Sequence, residues 1–83
     1  PELEQRLSGG AVCMNILNAA HALGYSAQWV TEWLSFDTEI KAALGHDDQT
    51  DIIGMIYIGT ASEPPQPRSR PPLDEIVSEW SGL

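Results

Sequence analysis

Between Gly9 and Leu23 nearly every residue is apolar or small, with Asn15 and Asn18 the main interruptions. Wound as a helix, such a stretch carries apolar atoms all round, the pattern of a buried helix rather than one laid on a surface. The spacing of Leu3, Leu7, Val12, Met14, Leu17 and Leu23 predicts a helix over 3–23, and Gly24 is placed as its C-terminal stop. Gly9, Gly10, Ala11, Ala19 and Ala20 would let another helix approach closely. A chain of 83 residues buries only about 60% of the surface its unfolded form exposes. A helix wanting cover on every side therefore asks for partners, and an apolar content of 42% points the same way.

After the helix, Ala27 to Thr31 follows a Gly-Tyr-Ser turn, holds Trp29 and a β-branched pair, and predicts a strand. Asp37 is placed to cap a short helix from Thr38 to Leu44, which Gly45 ends before the polar loop 46–51. Ile52 to Gly59 predicts a strand apolar on both faces, as in the covered middle of a sheet. Thr60 to Pro72 holds every proline except Pro1 and is expected to run as an extended arm. Leu73 to Trp80 is ambiguous: residues 73, 76, 77 and 80 have helical spacing, whereas Ile76, Val77 and Trp80 favour a strand. The division expected is a central helix over 1–24, a strand-helix-strand unit over 25–60, and a proline-rich arm with a terminal strand over 61–83.

Four basic residues stand against twelve carboxylates, a formal net charge of -8. Nucleic-acid binding is not expected of such a chain, because neutralising phosphates takes clustered Lys and Arg. Cys13 is a lone cysteine without Cys or His at zinc spacing, so neither a disulfide nor a zinc site is expected, and mid-helix among small residues it reads as packing. His21 and His46 have no catalytic neighbours in sequence and read as structural. No run reaches the ~18 apolar residues of a membrane span and no signal peptide is apparent, so a cytoplasmic location is the expectation. Opening at Pro1 directly into helical sequence, the chain reads as a piece of a longer polypeptide.

Gly10-Ala-Val-Cys-Met-Asn-Ile-Leu-Asn-Ala-Ala-His-Ala-Leu-Gly24, then Ala27-Gln-Trp-Val-Thr-Glu-Trp33, Ile53-Gly-Met-Ile-Tyr-Ile-Gly59 and Pro67-Arg-Ser-Arg-Pro71 resemble, in order, the C-terminal half of the nitroreductase family. Each block is common alone; four in the family's order with similar spacing are fairly specific. The resemblance implies an α+β flavoprotein, a three-layer α-β-α fold working as an intertwined homodimer with two FMN sites at the subunit interface. The helix over 9–23 would lie at that interface. The arm would add a strand around Ile76 to Trp80 to the partner's sheet, and the family's N-terminal half, with its own flavin contacts, would lie outside these residues.

By the same resemblance, the backbone N–H of Thr31 would point at the flavin N5 and that of Glu32 at the neighbouring carbonyl oxygen, with Trp29 and Val30 lining the ring. Many family members carry Gly where this chain has Glu32, so its side chain would either crowd the flavin edge or face solvent. Arg68 and Arg70 match a basic pair that reaches the FMN phosphate in part of the family, a role that suits two guanidiniums one residue apart on an extended arm. Ala19 to Gly24 occupies a stretch linked in some relatives to NAD(P)H.

The activity implied is ping-pong hydride transfer from NAD(P)H through FMN to a nitroaromatic, quinone or related small-molecule acceptor. It requires no nucleophile or metal cluster from the chain. Two alternatives stand beside it: a member of the same scaffold that reduces something other than nitro groups, and an interaction module in which Pro64-Pro-Gln-Pro-Arg68 is a polyproline ligand.

Overall fold

In a computed structural model describing residues 1–83, the long helix forms as expected: α1 spans Glu2–Ala22. Glu2 and Glu4 in its first turn and His21 in its last suit the helix dipole. Tyr25 N–H donates to the carbonyl of Ala20 at 2.9 Å and Gly24 N–H to that of His21 at 3.0 Å, with Gly24 at φ 89°, which closes the helix where a glycine was needed.

Strand β1, Ser26–Val30, pairs antiparallel with β2, Met55–Gly59, in the register Ser26 with Gly59 through Val30 with Met55. One face of this two-stranded sheet packs on α1 along a line of Gly9, Gly10, Cys13, Leu17 and Ala20, residues three or four apart that share one helix face. Cys13 lies on this line, in keeping with its role as packing.

Between the strands, Trp33–Ser35 forms a single 3-10 turn and α2 spans Thr38–Ala43, packed on that turn rather than on the sheet. Asp37 caps α2 as expected, its Oδ1 accepting from the amides of Glu39 at 2.9 Å and Ile40 at 3.1 Å. Lys41 is buried and its Nζ donates to the carbonyl of Asp48 at 3.4 Å, tying the polar loop to the helix. Arg6 bonds Asp51 at 3.0 Å and fastens the end of that loop to the start of α1.

Two expectations need correction. The helix over 9–23 is not buried all round: two strands cover one stripe of it, Ala20 is its sole buried residue, and Val12, Met14, Ile16 and Leu23 are exposed. The second strand starts at Met55 rather than Ile52, and it is not a covered central strand, since Tyr57 and Ile58 are exposed. The end of the chain pairs with neither strand of its own sheet. Leu73–Ile76 makes a one-turn helix (α3) behind Pro72, favoured by Asp74 and Glu75 in its first turn, and the chain turns extended at Val77 without entering a ladder.

Helix and sheet make two layers, and only three of the 83 residues, Ala20, Ser35 and Lys41, are buried. The radius of gyration is 17.1 Å, against about 12 Å for a compact domain of this length. The fold is an α+β unit whose apolar surface exceeds what its own elements cover.

Candidate functional site

Sheet pairing stops at Val30 and Met55. The next residues of β1's chain, Thr31 and Glu32, are exposed and lead into the 3-10 turn. That turn begins with Ser35 N–H bonding the Glu32 carbonyl at 2.9 Å and Phe36 N–H bonding that of Trp33 at 3.0 Å. The amides of Thr31, Glu32, Trp33 and Leu34 donate to no group of the chain. The first two are past the last rung of a ladder and the next two are the orphan donors that open any helical turn. Thr31 to Leu34 is thus a run of four unpaired N–H groups at a strand end.

Trp29 and Val30 point to opposite faces of β1. The indole of Trp29 packs toward α1, where a Cβ placed on Gly10 would lie 3.6 Å from its Cη2, and its Nε1 donates to the carbonyl of Ile53 at 3.2 Å. The side chain of Trp29 is thus engaged in packing, and what the strand end presents is backbone. Val30, half-buried, lies on the opposite face with Gln28 and Tyr57.

Glu32 faces solvent, and its Oε2 accepts a long hydrogen bond from the Tyr57 hydroxyl at 3.4 Å. Sequence reading did not single out Tyr57, nor the amides of Trp33 and Leu34. Tyr57 lies 25 residues from Glu32, and only the strand register shows them as neighbours.

Trp29, Val30, Thr31 and Glu32 thus lie together at one end of β1. Arg68 and Arg70 do not join it within the chain: both are exposed and neither makes a hydrogen bond or ion pair. The arm that carries them leaves β2 at Gly59, which pairs with Ser26 at the far end of β1, roughly 13 Å from Val30 at about 3.3 Å per residue. Near that far end a groove of ≈ 610 Å³ lies between His21, the strands and the start of the arm, with Gln28, Tyr57 and Glu63 in its lining.

Free backbone N–H groups are donors of the kind that the N1, N5 and carbonyl oxygens of a flavin ring accept from. Backbone donors of this kind are fixed by the fold and need no side-chain ordering. No helix is long and apolar enough to cross a membrane.

The sequence model of the Nitroreductase family matches residues 2–60, which takes in α1, both strands and the free-amide segment. A protein of Escherichia coli K12 provisionally named NAD(P)H nitroreductase YdjA is 33% identical over 60 residues, covering 72% of this chain and 33% of that protein. A Haemophilus influenzae protein provisionally named NAD(P)H nitroreductase is 33% identical over 64 residues, covering 76% of this chain and 34% of that one. The chain spans about a third of the length of these relatives.

Proposed function

The chain belongs to the nitroreductase family, and from that premise we propose that it supplies the C-terminal part of the flavin site in an FMN-dependent NAD(P)H oxidoreductase. The observation that carries this is the run of unpaired amides at Thr31–Leu34, inside the segment that the family match covers. Thr31 N–H is assigned to the flavin N5 and Glu32 N–H to the adjacent carbonyl oxygen. Val30 and the backbone at Trp29 flank the ring, and Glu32 keeps its carboxylate on the Tyr57 hydroxyl.

Bound FMN would supply two-electron chemistry, with hydride received from NAD(P)H and passed in a separate half-reaction to a nitroaromatic, quinone or related acceptor. The chain's part in this is to hold and orient, since no proton need pass through its side chains. Arg68 and Arg70 are assigned to the FMN phosphate by charge-assisted bonds. Their arm, which leaves β2 at Gly59 opposite Ser26, is assigned to a second subunit. The exposed apolar residues of α1, Val12, Met14 and Ile16 among them, are assigned to a homodimer interface. The relatives' names carry NAD(P)H as reductant, and the same reductant is proposed here.

The test is spectroscopic. The complete protein carrying these residues should bind FMN, appear yellow, and lose its visible flavin absorbance when NADH or NADPH is added without oxygen. A colourless protein that takes up no added FMN would overturn the proposal.

A further inference from the structure

The two strands part company sooner than their composition asks. Continuing the register past Val30 and Met55 would set Thr31 opposite Gly54 and Glu32 opposite Ile53, and Ile52 and Ile53 have the β-branched character of a strand. One side chain sits at the point where pairing stops. The indole N–H of Trp29 takes the carbonyl of Ile53 at 3.2 Å, and the ring sits against Gly54, where a Cβ would overlap Nε1 and lie 2.9 Å from the carbonyl oxygen of Val30.

We propose that Trp29 is a positioning residue: by claiming the Ile53 carbonyl, its indole stops the β ladder one rung early and leaves the amide of Glu32, the one that would face β2 at that rung, free to meet a ligand. The inference rests on the flavin assignment of that amide, but the device itself is in the chain. A carbonyl already bonded to an indole N–H is a poorer acceptor for a ladder amide, and one shifted to meet that indole is no longer aimed across the sheet. Gly54 completes the device, since any side chain there would push the indole off its acceptor. Gly10 gives the ring its seat on α1 with ordinary contact distance.

Trp29→Phe keeps the ring and removes the N–H. In the complete protein without FMN, hydrogen exchange at the Glu32 amide should slow roughly tenfold as the freed Ile53 carbonyl lets the ladder extend, with Thr31, whose N–H faces away from β2, unmoved. FMN affinity should fall by a similar factor, roughly tenfold, because that donor is then engaged. A residue that merely held the fold would act in the opposite sense, since loosening the sheet speeds exchange. Trp29→Leu removes the N–H together with the ring and should give the same pair of changes.

Unchanged or faster exchange at Glu32 in both folded variants overturns the inference. Failure of both variants to fold overturns it too, because Trp29 would then only hold the chain together. If the unaltered protein binds no FMN while Trp29→Phe still slows exchange, the flavin assignment falls and the ladder stop stands. If it binds FMN and exchange is unmoved, the ladder stop alone falls.

Discussion

A Cβ added to Gly9 of α1 would lie 2.9 Å from Cγ1 of Ile53, so the helix and the segment leading into β2 meet where only a glycine fits. The contact fixes how α1 lies on the sheet, next to the carbonyl that Trp29 uses.

Gly9→Ala should therefore destabilise the protein, although alanine is favoured over glycine inside a helix by about 1 kcal/mol. Overpacking costs about 1–3 kcal/mol, and the clashing atom is in the middle of the Ile53 side chain rather than at its flexible tip. Trimming Ile53 to Ala removes the clash. Urea denaturation of Gly9→Ala, Ile53→Ala and the double variant should give a favourable coupling on the order of 1 kcal/mol; strict additivity would show that the contact is slack.

Asp37→Ala should cost about 1 kcal/mol by leaving the Glu39 and Ile40 amides without their carboxylate acceptor. Asp37→Asn should recover most of it. Hydrogen exchange would report the loss at those two amides first, because α2 is only six residues long and has little stability of its own.

The elements that local chemistry dictates were legible: α1 from its apolar spacing and Gly24, β1 from Trp29 and Val30, α2 from Asp37. What sequence reading missed depends on residues far apart along the chain. Ile52 to Gly54 carry strand-like residues, yet they leave the ladder where an indole 24 residues away claims a carbonyl, and no local pattern records that. Burial of α1 was overestimated for a related reason. Its apolar circumference is real, but the two strands present cover a single stripe. The 3-10 turn at Trp33–Ser35 has no side-chain cap to announce it, although it supplies half of the free amides. Arg68 and Arg70 were legible as a pair, but the chain sets no contact that places them.

Arg6→Gln should barely change stability. The pair with Asp51 is exposed on both sides, at 59% and 54%, and such pairs are worth about 0.2–1 kcal/mol and are screened by salt. Thermal melts at low and high ionic strength would check this. A large loss at both would mean that the bond anchors the loop more firmly than its exposure indicates.

Val12→Asp tests the proposed subunit interface. Val12 is exposed in the chain and off the line of α1 that meets the sheet, so a carboxylate there should leave the fold intact. Buried against a second subunit it would be an unpaired charge, costly enough to split a dimer. Sedimentation should show the complete protein as a dimer and the variant as a monomer with unchanged circular dichroism. A dimer in both would move the interface elsewhere.

The central claim is that a backbone N–H at the end of β1 holds the flavin, and proline substitution reaches that group directly. Thr31→Pro removes the N–H while Val30 keeps the extended conformation that a following proline requires; Thr31→Ala removes only the side chain. Titrating FMN into the complete protein and its two variants, with quenching of flavin fluorescence as the signal, should give an affinity unchanged for Thr31→Ala and weakened at least roughly tenfold for Thr31→Pro. Equal, undiminished affinity in the folded Thr31→Pro variant would contradict the account.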